Sequence, residues 1–319
     1  MTDEHNKILL LGLPETGKTS FLSAFLHYID APIDGKNLRQ YKLSSNTTYV
    51  TAIVQDWLSG KKPERTKVTM TKNANTEANI YIEDQATGQK FTLHIPDFYG
   101  EIFENQFFDR QIEIEYIEQI KDSCGILLFI HPERINEPTL IEDVIVAHKF
   151  ADLINANFET EETAVEKPLL SDDDNVDLSN ETDLAQPFNI EESPTQLVLV
   201  DLLEAHLEYL SKLPMNLSLI ISAWDVIQKD CPDLSPVKWV EKTLPLLYQF
   251  LLANNNKIKF KGFGISAVGG NIEDPIERQR LIGLDEPSER ITVQDEDTIN
   301  KNIASPIEWI LKEWQKVVK

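Results

Sequence analysis

The residues with the clearest chemical meaning lie near the start of the chain, where GLPETGKT occupies positions 12–19. This run fits the pattern G-x-x-x-x-G-K-[ST], in which a glycine-rich turn lets backbone N–H groups converge on phosphates. A lysine at position 18 reaches the β- and γ-phosphates, and a hydroxyl at position 19 is a ligand for Mg²⁺. The motif follows an apolar run and opens a helical one, which is the context that this pattern requires.

We therefore predict that this loop binds the phosphates of a nucleotide, with Lys18 also acting in catalysis and Thr19 also binding the metal. The alternative is an ordinary Gly-rich strand-to-helix turn, but such a turn has no need of Lys-Thr after its second glycine. The predicted cofactor-binding residues of the loop are Gly12, Pro14, Glu15, Thr16, Gly17, Lys18, Thr19 and Ser20.

A second motif, DFYG at residues 97–100, follows an apolar stretch that is predicted to be a strand. It fits the D-x-x-G pattern of GTPases, in which the aspartate holds the Mg²⁺ hydration shell and the glycine N–H senses the γ-phosphate. Asp97 is thus predicted to bind the metal, and Gly100 to act in catalysis. Glu101 is also predicted to be catalytic, because it stands where Ras-like GTPases have the glutamine that orients the attacking water.

Two further motifs point to the nucleotide base. SAWD at residues 222–225 resembles the guanine-reading pattern [NT]-K-x-D, with only the aspartate kept. Asp225 can accept hydrogen bonds from guanine N1 and N2, which adenine does not offer, although a helix N-cap is an alternative role for it. Trp224, the residue before Asp225, is also predicted to bind the cofactor. Ser266 and Ala267 resemble the S-A-K motif, whose backbone N–H contacts guanine O6.

The threonine of the first switch loop is harder to assign, because several threonines precede the second motif. We favour Thr66 as a metal-binding and catalytic residue, since it precedes a predicted strand at about the required distance. Arg65 beside it is predicted to be an arginine finger in cis that neutralises charge on the γ-phosphate. An exposed loop arginine is the alternative for Arg65. The candidate threonines include Thr47, Thr48, Thr66 and Thr69.

These motifs need strands and helices to position them, and the apolar periodicity predicts both. Strands are predicted at 7–11, 78–84, 90–95, 125–131, 217–222 and 259–265, and helices at 19–28, 112–122, 197–213, 236–253 and 302–317. The second and third strands flank a Gly-containing turn and predict an antiparallel hairpin. The remaining alternation of short buried strands with helices predicts an α/β fold with a mainly parallel sheet flanked by helices.

Composition excludes several classes of protein. The 319 residues contain 30 basic and 53 acidic side chains, a net charge of −23, which argues against nucleic acid and anionic membranes as partners. The longest apolar runs are far shorter than the ~20 residues of a membrane span, and the start MTDEHNK has no signal-peptide pattern. The two cysteines cannot form a disulfide framework and suit a reducing compartment. We therefore expect a cytoplasmic protein.

The acidity is concentrated in residues 159–195, where 12 carboxylates are opposed by Lys167 alone. The segment has no sustained apolar periodicity, so we expect a poorly ordered insert. The alternative is an acidic mimic that docks on a basic partner. We predict one P-loop domain over residues 1–319, enlarged by this insert and by a C-terminal extension at 271–319 that ends in a helix.

Taken together, GLPETGKT, PERT, DFYGE, SAWD and GISAVGG resemble the double-GTPase (DO-GTPase) proteins, a bacterial branch of Ras-like P-loop GTPases. The resemblance spans residues 7–270 and extends to the final helix around 306–309. It implies a Ras-like GTPase fold, GTP or GDP with Mg²⁺, and a role in bacterial conflict or antiphage systems. It also implies a protein partner that is a second GTPase or an effector, with the homo-oligomeric state open. Ser222 and Ala223 depart from the usual Asn/Thr and Lys.

The first functional hypothesis is a GTP-hydrolysing molecular switch, in which γ-phosphate and Mg²⁺ order the loops around Thr66 and residues 97–103. The partner surface is expected near these loops, where aromatic residues are dense, although core packing is the alternative for at least two of them. The aromatic residues in question are Phe98, Tyr99, Phe103, Phe107 and Phe108.

The alternative hypothesis is an assembly subunit that binds GTP or ATP and barely hydrolyses it. An ATPase would be preferred if ATP bound more tightly than GTP, and a P-loop kinase fits poorly because the arginines are few and scattered. The six histidines show no metal-ligand spacing, so we predict neither a structural zinc nor a Cys-His nucleophile. His131, at a predicted strand end, has a core or loop role as the simpler interpretation and a functional one as the alternative.

Overall fold

The structure is a computed structural model, and it describes residues 6–31, 36–62, 78–96, 101–138, 190–296 and 298–318. The chain divides into a main unit, residues 1–135 and 195–319, and a smaller unit, residues 136–194. Of the smaller unit, residues 136–138 and 190–194 are described, and they include a 3₁₀ turn at Ile190–Glu192. The predicted acidic insert at 159–195 therefore lies almost wholly outside the described residues.

A nine-stranded sheet forms the centre of the main unit, in the order β2-β3-β4-β1-β5-β6-β7-β8-β9. The strands are β1 Lys7–Gly12, β2 Leu38–Lys42, β3 Ala78–Asp84, β4 Lys90–Ile95, β5 Ser123–Ile130, β6 Met215–Ser222, β7 Ile258–Ser266, β8 Thr292–Gln294 and β9 Ile299–Asn300. The five central strands, β4, β1, β5, β6 and β7, are parallel. The outer strands pair antiparallel. The prediction of a mainly parallel sheet is confirmed.

Helices cover both faces of this sheet. They are α1 Lys18–Asp30, α2 Thr47–Leu58, α3 Glu101–Asp109, α4 Ile114–Lys121, α5 Thr195–Tyr209, α6 Trp224–Asp230, α7 Pro236–Thr243, α8 Pro245–Ala253, α9 Pro275–Ile282 and α10 Ser305–Val318. Because successive strand residues point to opposite faces, Ile8 and Leu10 of β1 pack with α1, α2 and α10. Leu9 and Leu11 pack on the other side with α5, α7 and α8. This two-sided burial explains why β5 and β6 are buried along their whole length.

Most predicted elements agree with the structure, and one differs for a clear reason. The hairpin forms at the predicted bounds, with Ala78 opposite Ile95. The single helix predicted at 236–253 is two helices, because Pro245 has no N–H to donate and its ring cannot follow a helical turn. Pro245 instead begins the second helix. Strand β2 and helix α2 were not predicted at all, nor were α3, α6, α9 and the short outer strands β8 and β9.

The closing helix α10 packs closely against the sheet, as a glycine on β5 shows. A β-carbon at Gly125 would lie 2.3 Å from Cγ2 of Ile310. On the next strand, the Ser218 hydroxyl donates a hydrogen bond to the carbonyl of Pro306, with 2.9 Å between the oxygens. The helix predicted at 302–317 is therefore part of the sheet's cover. None of the described helices has both the length and the apolar character needed to cross a membrane.

Candidate functional site

The parallel strands bring the predicted motifs to one edge of the sheet. Strand β1 ends at Gly12, β5 at Ile130, β6 at Ser222 and β7 at Ser266. Since the carboxyl ends of parallel strands face the same way, the loops that follow them lie side by side. Open α/β sheets bind their ligands at this edge.

The loop between β1 and α1 turns sharply, and two glycines permit the turn. Gly17 has φ of +88°, in the left-handed region, and a β-carbon there would lie 2.9 Å from Cβ of Ser222. A β-carbon at Gly12 would lie 2.7 Å from Oγ1 of Thr16. Side chains at these two positions would therefore displace the loop from β6 or from its own turn. The spacing of the glycines in the motif is what this geometry requires.

Lys18 points back into the loop. Its ammonium donates hydrogen bonds to the carbonyls of Gly12 at 2.5 Å and Leu13 at 2.8 Å, and the side chain is only 4% exposed. The Thr16 hydroxyl donates to the same Leu13 carbonyl at 2.8 Å. A positive charge is thus held inside the turn, where the phosphates of a ligand would lie.

The amino end of α1 adds to this positive potential. Gly17 occupies the N-cap position, where it offers no side chain to accept from the first N–H groups, and the first turn contains no acidic residue. These N–H groups carry the positive end of the helix dipole. The local environment therefore favours an anion, despite a net charge of −23 for the chain.

The loops at the sheet edge enclose a cleft of about 740 Å³, a volume within the usual range for small-molecule sites. Thr19 and Ser20 line its phosphate-loop end, on the first turn of α1. The predicted residues that line the cleft are Glu15, Thr16, Gly17, Lys18, Thr19, Ser20, Asp225, Ser266 and Ala267. The structure thus brings together residues that are about 250 positions apart in the chain.

Asp225 lies in the first turn of α6 and lines the cleft. The helix begins after Ala223, which has φ of +47° and occupies the N-cap position, and no side chain caps the helix. Asp225 therefore does not have the N-cap role that was its alternative. Among the residues that the structure describes, none donates a hydrogen bond to its carboxylate, so the acceptor capacity of the two oxygens is available to a ligand in the cleft.

Trp224 is not in the cleft, which differs from its predicted role in cofactor binding. The side chain is fully buried, and its indole N–H donates to Oε1 of Gln294 at 2.7 Å. A β-carbon at Gly264 of β7 would lie 2.2 Å from the indole ring, so the ring packs directly on the strand. Trp224 anchors α6 to the sheet, and the cleft-facing position next to it is that of Asp225. Gly12 and Pro14 also lie in the loop without lining the cleft.

The turn after β7, residues 266–269, is fixed by its own hydrogen bond and by a residue behind it. We call this turn the base loop. The N–H of Gly269 donates to the Ser266 hydroxyl at 3.0 Å, and the indole N–H of Trp57 donates to the carbonyl of Ala267 at 2.9 Å. The sequence predicted Ser266 and Ala267 but not Trp57, which lies on the unpredicted helix α2.

Arg134 is a second residue that sequence reasoning missed. It follows the end of β5 on a short 3₁₀ turn and forms an ion pair with Glu15 of the phosphate loop, with 2.8 Å between Nη2 and Oε2. Both residues line the cleft. A signal was available, since HPER at 131–134 places charged residues directly after an apolar strand. The partner in the phosphate loop could not have been inferred from spacing.

His131 lines the same part of the cleft. Its Nδ1 accepts a hydrogen bond from the backbone N–H of Glu133 at 3.2 Å, which begins the 3₁₀ turn. Burial lowers the pKa of His131, and the nearby charge of Glu133 opposes that effect. The neutral ring is thus favoured near pH 7, and the described contacts give it a loop-forming role.

Part of the predicted site lies outside the described residues. Thr66, Arg65, Asp97 and Gly100 lie outside the described residues, and of Glu101 only the backbone position is described, as the first residue of α3. Two of the five aromatic residues predicted near a partner surface, Phe103 and Phe107, are buried in the core, which was the alternative interpretation for at least two of them. Phe98 and Tyr99 also lie outside the described residues.

Within the described ranges, no cluster of three or more His, Cys, Asp or Glu side chains could hold a metal ion. Thr19 is the described member of the predicted metal set, and it lines the cleft beside the phosphate loop. Mg²⁺ at nucleotide sites uses one or two protein oxygens together with phosphate oxygens and water. Thr19 fits that role.

A glycine-rich loop at the end of β1, a buried lysine within it and an aspartate at the end of β6 together define a P-loop nucleotide-binding protein with a GTPase fold. The chain belongs to the Double-GTPase 1 family, whose sequence model matches residues 9–310. No curated protein matches the chain. Membership confirms the resemblance and the fold class inferred from the motifs, and it supports GTP binding.

Proposed function

We propose that the protein binds GTP in the cleft and hydrolyses it to GDP and phosphate, and that the bound state acts as a molecular switch. The observation that carries this proposal is that one cleft contains both the phosphate loop with Lys18 and the open carboxylate of Asp225. The first is suited to the phosphates and the second to the base. The family to which the chain belongs supports the same ligand.

At the phosphate end, the backbone N–H groups of the loop and of the first turn of α1 bind the phosphates. The Lys18 ammonium exchanges the carbonyls of Gly12 and Leu13 for phosphate oxygens, which are stronger acceptors because they are charged. The ammonium starts from within the turn, so the movement is short. This exchange stabilises the charge that develops on the transferred group.

At the base end, Asp225 accepts hydrogen bonds from guanine N1 and N2. The carboxylate has no competing donor among the described residues, so it binds the base without losing an internal bond. An adenine in the same position would leave the carboxylate unpaired in a partly enclosed site, which costs more than the bond is worth. Selection for guanine then rests on one carboxylate and on the base loop.

Thr19, Asp97 and Thr66 would hold Mg²⁺, which neutralises charge on the β- and γ-phosphates when it is bound. Gly100, Glu101 and Arg65 are the further residues proposed for the hydrolytic step, in which water attacks the γ-phosphorus and the bond to the bridging oxygen breaks. Only Thr19 of these six has a described side chain. The role of the others in the protein stays a prediction from their motifs.

We also propose that the switch acts in the bacterial cytoplasm within a conflict or antiphage system, through a second GTPase or another effector. The support is the family membership together with the composition, since a charge of −23 disfavours nucleic acid and anionic membranes as partners. Pull-down of a tagged chain loaded with GTP or GDP tests this directly. A partner retained only in the GTP state supports the switch.

The first experiment identifies the ligand. The purified protein is denatured and the released nucleotide is separated by anion-exchange chromatography, with guanine nucleotide as the expected result. Single-turnover hydrolysis of GTP is then measured, and a rate above about 10⁻⁴ s⁻¹ that Lys18→Ala abolishes is expected. Binding without turnover, with or without a partner, would instead support a non-hydrolysing assembly subunit. Tighter ATP than GTP would indicate an ATPase.

A further inference from the structure

The base loop is held from behind by Trp57, which does not line the cleft. The indole N–H of Trp57 donates to the carbonyl of Ala267 at 2.9 Å, and the side chain is 2% exposed. Across a trans peptide, the carbonyl of one residue and the N–H of the next point in opposite directions. The bond therefore turns the N–H of Val268 away from Trp57, and Val268 lies on the cleft wall.

Trp57 is itself fixed by Arg290, a buried residue just before β8. The guanidinium lies over the indole ring, with its carbon 4.0 Å from the ring centroid, and Nη2 donates to the Trp57 carbonyl at 2.9 Å. Its Nε donates to the carbonyl of Pro287 at 3.2 Å. The stacking and the two donated bonds leave the indole little freedom. We call Trp57 and Arg290 the brace.

The brace also touches the base loop at a second point. A β-carbon at Gly269, where φ is +85°, would lie 2.4 Å from the carbonyl oxygen of Arg290. The loop backbone therefore packs directly on the backbone of Arg290, and only glycine fits. The base loop is thus held through both Ala267 and Gly269 by residues that face away from the cleft.

The motif at the end of β6 supplies little else for the base. The Ser222 hydroxyl donates to the carbonyl of Ile130 at 3.2 Å, and the methyl group of Ala223 offers no hydrogen bond. These two residues stand where the guanine-reading pattern has Asn/Thr and Lys. These two positions therefore supply no side-chain donor to the base.

We propose that Trp57 is a positioning residue for the nucleotide base. The brace holds the Ala267–Val268 peptide with its N–H toward the cleft, where it donates to O6 of guanine. Adenine carries a donor amino group at the corresponding position, so the same N–H opposes it. Helix α2 is thereby part of the base-selection machinery. The inference rests on the proposed GTP binding and adds to it the source of guanine preference.

The test uses Trp57→Phe, which keeps an aromatic ring under Arg290 and removes the indole donor. Dissociation constants for GDP and ADP are measured by isothermal titration calorimetry for the full chain. We expect GDP to bind roughly 10-fold more weakly, as for loss of one hydrogen bond to a buried acceptor. The dissociation constant for ADP should change by less than about twofold. The ratio of the ADP and GDP constants, which measures the preference for GDP, should therefore fall by roughly 10-fold.

The chain offers a matched control in Trp314→Phe. Trp314 is 4% exposed, and its indole N–H donates to Oδ1 of Asn6 at 3.2 Å, but it does not line the cleft or contact the base loop. Its replacement removes the same donor from another buried site, and both dissociation constants should stay within about twofold of the wild-type values. Arg290→Lys removes the guanidinium that stacks on Trp57 and donates to its carbonyl. It should therefore lower the preference for GDP, as Trp57→Phe does.

Equal weakening of GDP and ADP by Trp57→Phe would show a general loss of structure and would overturn the inference. So would a GDP preference that Trp57→Phe leaves unchanged. If Trp57→Phe does not fold, an unchanged preference in Arg290→Lys would overturn the inference in its place. A wild-type protein that binds GDP no better than ADP would overturn the proposed function as well, whereas a strong wild-type preference that survives in the variants would overturn the positioning role alone.

Discussion

Replacement of Asp225 by asparagine tests the base site most directly. The substitution keeps the shape of the side chain but exchanges one carboxylate oxygen for a donor amide, so it no longer matches the two donors at guanine N1 and N2. Hydrogen bonds to a charged group contribute about 1.5–3 kcal/mol each. Asparagine keeps one acceptor oxygen, so one bond is lost and the other loses its charge, while the new amide N–H₂ faces a donor of the base. A loss at the lower figure for each of the two bonds gives ~3 kcal/mol, which corresponds to roughly 150-fold weaker GDP binding.

The structure also predicts what this variant leaves unchanged. Asp225 accepts no hydrogen bond from the described residues and does not cap α6. The stability of the ligand-free protein should therefore change by less than about 0.5 kcal/mol. Xanthosine diphosphate, which has a carbonyl where guanine has its amino group, should bind better to the variant than to the wild type.

The assay is competition of GDP and xanthosine diphosphate against a fluorescent guanine nucleotide, with thermal unfolding of the ligand-free proteins in parallel. Asp230→Asn is the control, because Asp230 is an exposed carboxylate at the end of the same helix and does not line the cleft. It should leave both affinities unchanged. Unchanged GDP affinity in Asp225→Asn would refute the base-reading role, and a large loss of ligand-free stability would show that Asp225 is structural.

The remaining predictions concern the phosphate loop and the core. Gly17→Ala should weaken GDP binding at least ~10-fold, because φ is +88° and the new methyl would lie 2.9 Å from a side chain of β6. Gly88→Ala, with φ of +69° and open space around it, should leave binding unchanged, which calorimetry checks. The half-exposed Glu15–Arg134 ion pair should contribute less than about 1 kcal/mol to the free energy of unfolding, measured as the coupling in a double-mutant cycle with urea. A larger coupling would contradict the view that solvent screens this pair. Burial lowers the pKa of His206 to about 4, so between pH 6.5 and pH 4 the unfolded chain binds a proton at this histidine that the folded chain does not bind. The free energy of unfolding should therefore fall by about 3 kcal/mol as pH drops from about 6.5 to about 4. His206→Gln should reduce that fall in urea titrations, and an unchanged fall would contradict the role assigned to His206.

The local features of the site were readable from the sequence because they depend on neighbours in the chain. The phosphate loop requires glycine at fixed spacing and a following helix, and all of these lie within residues 12–30. The hairpin at 78–95 is likewise set by alternation and by one turn. Pro245 interrupts a helix through its own ring, so the break at that residue was also readable, although one continuous helix was predicted.

The roles of the tryptophans could not be read in this way. Trp224 precedes Asp225 in the motif, yet the turn of α6 and the close approach of Gly264 direct it into the core. Trp57 has no motif around it, and its hydrogen bond to Ala267 joins residues that are 210 positions apart. Trp224 and Asp225 are adjacent in the sequence but lie in different environments, whereas Trp57 and Ala267 are distant in the sequence but form a hydrogen bond.

The phosphate-binding loop at the end of a strand follows from the residues of that segment alone, because backbone turns and helix starts are short-range properties of residue type. Which distant residues complete the cleft depends on the arrangement of the whole sheet. Asp225, the base loop and Arg134 reach one edge because parallel strands align their carboxyl ends there, and Trp57 of α2 holds the base loop from behind. The order of those strands is set by burial of two apolar faces over the whole chain, and no local pattern contains it.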